Sequence, residues 1–187
     1  IFSKDPFLKA SYRRSSDGFL AIVNSWILSF DNLHKAKFQT CIVLDEVEKP
    51  GNLGAVVRTA EAFGVTSLIL SDPSVDYFNP NVVRSSRGLM GSINVAEGTK
   101  NEVCSFLLEN KISIIGASGS SPKSYWNFES NSKTAFLFGS EKDGLGQFWI
   151  EQVNDLIGIP MKGNADSLNL NVSVACILAE YNRKEST

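Results

Sequence analysis

A chain of 187 residues with 43% hydrophobic content is long enough for one sizeable core and short for two, so one main domain is expected. Lys and Arg total 18 against 20 Asp and Glu, a net charge of −2, which excludes a global basic field and confines any nucleic-acid contact to a local patch. Three scattered cysteines (Cys41, Cys104, Cys176) and a single histidine, His34, argue against a zinc site or a disulfide framework and for a reducing compartment. No apolar run approaches the ~20 residues that span a bilayer, so a soluble, cytoplasmic protein without a signal peptide or membrane segment is expected. The chain begins at Ile1 rather than Met, and a preceding segment is expected.

Residues 1–35 differ in texture from the remainder. A polar turn over 11–18 leads into Phe19-Leu20-Ala21-Ile22-Val23, which reads as a strand, and a charged connection follows around His34-Lys35-Ala36-Lys37. Two organisations remain open: the tail of an earlier domain plus a linker, or an edge strand on the main sheet. From Thr40, strand and helix alternate. Cys41-Ile42-Val43-Leu44 is a continuous apolar run, as in a strand covered on both faces. Pro50 and Gly51 turn the chain, Asn52 is placed to cap a helix, and that helix runs to about Phe63 with Gly64 as its stop. Ser67-Leu68-Ile69-Leu70 is the next strand. The interval from Ser71 to Gly91 reads as a long irregular segment carrying Arg84 and Arg87, and loops of that length are commonly functional.

A short strand near Ile93–Ala96, a helix over about 101–110 and a strand Ile112-Ser113-Ile114-Ile115 come next, ending in the small-residue turn Gly116-Ala117-Ser118-Gly119. After the polar, aromatic stretch 120–133, Ala135-Phe136-Leu137-Phe138 is a buried strand ending in Gly139-Ser140-Glu141. A second apolar run ends in Ile159-Pro160-Met161, and Ser167-Leu168-Asn169 opens a last helix. Such βα repeats indicate an α/β fold with a mostly parallel sheet flanked by helices. Three polar turns in quick succession then line one crevice at the strand ends.

Nucleotide templates do not fit these turns. The run from Gly139 to Gly144 has P-loop glycine spacing, yet Leu145-Gly146 stands where Lys-Ser/Thr is required. Pro50-Gly51-Asn52-Leu53-Gly54 lacks the spacing of a dinucleotide fingerprint. On the last helix, Leu168/Val172/Ala175/Ala179 and Leu170/Val174/Leu178/Tyr181 form two apolar stripes, with Asn169, Ser173 and Glu180 on a narrow polar face. A helix of this kind packs between two layers. Taken singly, Ser167 and Asn169 read as helix caps, Arg58 as a solvated arginine, and Glu141 as a charge at a helix N-terminus.

Together they fall into the order of a known family. The run from Leu44 to Gly64, the run from Phe138 to Leu145 continuing to Ile159-Pro160-Met161, and Ser167-Leu168-Asn169-Leu170-Asn171-Val172-Ser173-Val174-Ala175 resemble, in order, the three motifs of the SpoU (TrmH-like) family of the SPOUT superfamily. These are RNA 2′-O-ribose methyltransferases, and the resemblance covers about residues 40–183. It implies a deep C-terminal trefoil knot, with a methyltransferase domain over 36–187 and residues 1–35 as an extension or the end of an RNA-binding domain. It also implies S-adenosylmethionine as cofactor, held by backbone at Gly139, Ile159 and Leu168 with Ser118 and Met161 nearby. Arg58, Asn52, Glu141, Ser167 and Asn169 match the catalytic polar set, and Arg84, Ser85 and Arg87 the segment that approaches RNA. The implied partners are transfer or ribosomal RNA and a second copy of the chain, in a homodimer. Rival readings are a non-catalytic RNA-binding protein built on the same scaffold, and a relative that methylates a base.

Overall fold

The computed structural model describes residues 1–11, 18–34, 40–129 and 133–186. In chain order these form α1 (Lys4–Ala10), α2 (Phe30–His34), β1 (Thr40–Asp45), α3 (Pro50–Ala62), β2 (Ser67–Ser71), α4 (Pro80–Ser85), β3 (Asn94–Gly98), α5 (Lys100–Glu109), β4 (Ser113–Ala117), β5 (Thr134–Phe138), α6 (Gln147–Gln152), β6 (Asp155–Ile157) and α7 (Leu170–Glu185). Single 3-10 turns occupy Leu89–Gly91 and Tyr125–Asn127.

The six strands make one sheet in the order β3-β2-β1-β5-β4-β6, and every pairing is parallel. β1 lies near the middle, with Val43 opposite Ile69 on one side and Leu137 on the other. All six of its residues are buried, because helices cover both faces. Ile42 and Leu44 point into a cluster with Leu53, Val56 and Val57 of α3, Val82 of α4 and Val174, Ile177 and Leu178 of α7. Cys41 and Val43 point into the opposite cluster, with Leu33 of α2, Val103 and Leu107 of α5 and Trp149 of α6. The continuous apolar runs thus reflect a sheet with no solvated face.

Several expectations need correction. The helix after β1 begins at Pro50, with Lys49 at the N-cap. Asn52 is therefore an internal residue of its first turn, because proline's fixed φ suits the first helical position. Gly64 does end that helix, at φ 75°. The interval 71–91 is not irregular throughout: Asn79 caps α4 by accepting from the Asn81 amide, with Pro80 at its start. β4 extends through Ala117, so Gly116 belongs to a strand, where a Cβ would stand 2.9 Å from Leu145 and Val153 side-chain atoms.

No strand forms over 19–23, and Phe19 and Ile22 are 92% and 93% exposed. With no neighbouring strand the apolar run has no ladder to join, so the edge-strand alternative fails. Docking onto the sheet starts later. Trp26 meets Phe78 edge-on at 4.9 Å, Phe30 stacks on Phe106 at 4.9 Å, and Leu33 is fully buried. Most of the polar turn at 11–18 and of the charged connection around 34–37 lies outside the described residues.

Candidate active site

The direction of travel along the sheet reverses between β1 and β5. From β1 the chain moves outward through α3 to β2, whereas from β5 it moves the other way, through α6 to β6. In open parallel sheets such a reversal leaves a crevice beyond the carboxyl ends of the strands. Here it is a cleft of about 560 Å³, within the usual range for small-molecule sites. The segments after β1, β4, β5 and β6 and the N-terminus of α7 all reach it.

Each wall has a local cause. After β5 the chain folds back at once. The Ser140 amide donates to the Gly144 carbonyl and the Gly144 amide to the Ser140 carbonyl, both at 3.1 Å, while the Ser140 hydroxyl accepts from the Asp143 amide at 3.0 Å. Gly139 is required there, since a Cβ would come within 2.1 Å of Gly144 backbone. After β6, Gly158 exchanges hydrogen bonds with the segment after β4, donating to the Lys123 carbonyl at 2.8 Å and accepting from the Tyr125 amide at 2.9 Å. This sets Ser118 and Gly119 beside Ile159 and Met161 in the lining. At α7, the Asn169 side chain caps the helix by accepting from the Asn171 amide at 3.0 Å.

Hydrogen bonds tie the three motif segments together. The Asn52 side-chain amide donates to Glu141 Oε1 at 2.8 Å, and the Glu48 amide donates to Glu141 Oε2 at 3.3 Å. The Asn169 side-chain amide donates to Asn52 Oδ1 at 3.1 Å. Farther along α3, the Thr59 hydroxyl donates to Asn171 Oδ1 at 2.7 Å. Glu141 is thus a charge at a helix N-terminus, but the helix is α3, 89 residues earlier in the chain, and a carboxylate there is favoured by the helix dipole. Asn169 acts both as a cap and as a member of the set.

The turn between β1 and α3 is anchored from behind. Buried Asp45 accepts from the Ser71 hydroxyl at 2.6 Å, and Lys100 Nζ lies 2.6 Å from Glu46 and 3.6 Å from Asp45. The hydrogen bond to Glu46 raises the Lys100 ammonium above the ordinary lysine range, with Asp45 and Asp72 adding to it against partial desolvation.

Of the residues singled out in the sequence, Asn52, Glu141, Ser167, Asn169, Ser118, Gly139, Ile159, Met161 and Leu168 all line the cleft. Arg58 does not. It is exposed on α3, without a hydrogen bond or ion pair among the described residues. Arg84 and Arg87 are likewise exposed and unpaired among the described residues, whereas the Ser85 hydroxyl is turned inward, donating to the Asn81 carbonyl at 2.6 Å. Sequence reasoning missed Lys49, Lys142, Asp143, Asp166 and Ser173 in the lining. Lys49, Lys142, Asp143 and Ser173 fall within the three motif runs, Ser173 also beside Asn169 on the narrow polar face of the last helix, whereas Asp166 carried no signal. The described residues contain no group of three His, Cys, Asp or Glu able to hold a metal.

The lining joins apolar Phe138, Ile157, Leu170 and Ile177 to charges of both signs, Lys49 and Lys142 with Glu141, Asp143 and Asp166. That donor set fits a flat heteroaromatic ligand carrying both an ammonium and a carboxylate, as S-adenosylmethionine does.

The profile of the SpoU rRNA Methylase family matches residues 39–179. The chain belongs to the SpoU family. Membership implies the SPOUT fold with its C-terminal knot and the use of S-adenosylmethionine. Among relatives, YacO of Bacillus subtilis, named for the TrmH family, is 30% identical over 162 residues, covering 83% of this chain and 65% of its own length. The 23S rRNA (guanosine(2553)-2′-O)-methyltransferase RlmP of the same organism is 26% identical over 174 residues, covering 89% and 70%. The SpoU methyltransferase AviRb from Streptomyces viridochromogenes, solved in complex with S-adenosylmethionine, superposes with a TM-score of 0.80 at 26% identity, covering 86% of this chain and 63% of that one. The chain therefore spans a little under two thirds of YacO and AviRb. No helix among the described residues is long and apolar enough to cross a membrane.

Proposed function

We propose that this SpoU protein transfers a methyl group from S-adenosylmethionine to a ribose 2′-hydroxyl of transfer or ribosomal RNA. The observation that carries this reading is the hydrogen-bonded chain Glu141–Asn52–Asn169, which joins all three family motifs in the lining of the cleft. RlmP, a 2′-O-methyltransferase by name, supports ribose over base as the target.

When bound, S-adenosylmethionine supplies an electrophilic methyl group on a positively charged sulfur. The protein's part is placement. Backbone at Gly139, Ile159 and Leu168 would hold the cofactor's adenosine end, and Asn52, Glu141, Ser167 and Asn169 would orient the ribose beside it, a proximity effect worth ~7 kcal/mol or more of barrier. Arg58, exposed on α3 outside the lining of the cleft, binds the phosphate beside the target ribose, and from there its charge stabilises the charge that develops on the 2′-oxygen. An arginine stays protonated in proteins, so the hydroxyl proton leaves through that phosphate or water.

The reading includes a homodimer acting in the cytoplasm. Val172 on α7 is 44% exposed in the single chain, and Leu168, two residues before that helix, is 38% exposed, as expected of a helix end awaiting a second layer. A partner there would bring further groups close to Ser167 and Asn169.

The test is tritiated methyl transfer from S-adenosylmethionine to RNA, followed by digestion to nucleosides. Label in a ribose-methylated nucleoside is expected. Label on a base would move the protein to base methylation, and tight RNA binding without transfer would make it a non-catalytic binder.

A further inference from the structure

Gly54 lies inside α3, where glycine costs about 0.5–1 kcal/mol relative to alanine. The structure shows what it accommodates. A Cβ on Gly54 would stand 1.9 Å from the Ser85 hydroxyl oxygen, 2.6 Å from the Val82 carbonyl oxygen and 2.9 Å from the Ser86 amide nitrogen. The last two atoms are backbone, so α4 could not yield by turning one side chain. It would have to move as a unit.

Ser85 fills the notch. Its hydroxyl oxygen lies 2.6 Å from the Asn81 carbonyl within α4 and 3.4 Å from the carbonyl of Pro50. Pro50 is the first residue of α3, two positions before Asn52 in the cleft. Val82 anchors the other side of α4 in the core. A six-residue helix is thereby locked to the helix that carries both Asn52 and Arg58.

Its cargo is charge. Of the four arginines among the described residues, Arg183 pairs with Glu180, while Arg58, Arg84 and Arg87 are exposed and unpaired among those residues. Arg58 follows Gly54 by four positions and so shares its face of α3. Arg84, in the last turn of α4, and Arg87, two residues beyond that helix, flank Ser85 and Ser86 beside that face. In a chain of net charge −2, this is a local concentration of the side chain best shaped for phosphate.

We propose that Ser85 is a positioning residue rather than an RNA ligand: seated against Gly54, it fixes α4 so that Arg84 and Arg87 meet the backbone of the RNA whose ribose Arg58 serves. This rests on the reading of the protein as an RNA methyltransferase. It assigns the docked helix to substrate engagement and leaves the cofactor cleft independent of it.

The experiment compares wild type, Gly54→Ala, the double variant Gly54→Ala/Ser85→Gly and Ser85→Ala. The readouts are RNA binding by filter retention with transcribed transfer and ribosomal RNA, S-adenosylmethionine binding by calorimetry, and steady-state methyl transfer. Gly54→Ala is expected to weaken RNA binding and raise the RNA KM by roughly ten- to a hundredfold, as a misplacement of about 1 Å does, while cofactor affinity stays within about twofold. Removing the Ser85 side chain in the double variant relieves the closest collision and should restore part of the loss, a non-additivity that general destabilisation would not produce. If Gly54→Ala does not fold, Ser85→Ala carries the test, with a raised RNA KM and kcat within about twofold expected. RNA binding and KM unchanged in the variants overturn the inference alone, as does equal loss of cofactor and RNA affinity. A wild-type protein that binds no RNA overturns the inference together with the function proposed above.

Discussion

The two faces of α3 differ in how they are held. On one, Asn52 and Thr59 are bound into the cleft and α7 through Glu141, Asn169 and Asn171. On the other, past Gly54 and the docked α4, Arg58, Arg84 and Arg87 are exposed and unpaired among the described residues. The first face is satisfied by the chain itself, so its polar groups do two jobs, closing the fold and shaping a site. The second is left open to solvent and to a ligand, with no partner for its arginines among the described residues. Mutations on the two faces should therefore separate stability from activity.

The largest effect is expected on the open face. Arg58→Ala should lower kcat by about a hundredfold or more, the scale seen when one group stabilising transition-state charge is removed. The melting temperature should hardly move, because an exposed substitution away from structural contacts is usually worth within about 0.5 kcal/mol. Cofactor affinity measured by calorimetry should also be retained. Lost cofactor binding with normal residual turnover would move Arg58 from catalysis to the cofactor site. Arg58→Lys sharpens the test, since lysine keeps the charge without the planar fork.

Gly139→Ala attacks the closed face, and there stability and binding should fall together. The added methyl meets Gly144 and Leu145 backbone, an overpacking cost of about 1–3 kcal/mol. At this chain length that corresponds to a melting temperature lower by about 2–4 °C per kcal/mol, readable by calorimetry alongside weaker cofactor binding. A smaller change is expected for Asn52→Ala, which removes the link between Glu141 and Asn169. Each intramolecular hydrogen bond contributes about 1 kcal/mol net, so cofactor affinity should fall by about tenfold, with a modest fall in melting temperature. An Asn52→Ala protein with full affinity would show that the chain of amides is scaffolding only.

Strands, turns and motif residues were legible in the sequence and the contacts between distant segments were not, for reasons of range. The strands announce themselves because β1, β2 and β5 are buried on both faces and read as unbroken apolar runs. The turns after β4, β5 and β6 could be placed from those strands, and the family motifs marked their residues. What could not be read was which distant group each polar residue meets. Asn52 looked like a cap until Pro50 was seen to start the helix, and its partner Glu141 lies 89 positions away. The interval 71–91 read as irregular, although within it Asn79 and Pro80 open α4. Phe19 to Val23 has the composition of a strand and no neighbour to pair with. Nothing local reveals that the Ser85 hydroxyl lies against Gly54, 31 positions earlier in the chain.

The smallest effect concerns the turn from which both faces start. Lys100 holds Glu46 and Asp45 behind that turn, and its ammonium is raised above the ordinary lysine value, first by the hydrogen bond to Glu46. A group whose folded pKa exceeds its unfolded one stabilises the fold fully below the unfolded value, about 10.4 for lysine, and that contribution fades as pH rises through the folded value. Lys100→Met should therefore melt below wild type at pH 8, and the gap should narrow above about pH 10.5. Because the turn delivers Asn52 to the cleft and starts the helix that carries Arg58, the variant should weaken cofactor binding and methyl transfer in parallel. A gap in melting temperature that stays constant from pH 8 to 11 would assign the loss to packing of the lysine stem instead. A loss confined to methyl transfer would mean that Lys100 bears only on the open face.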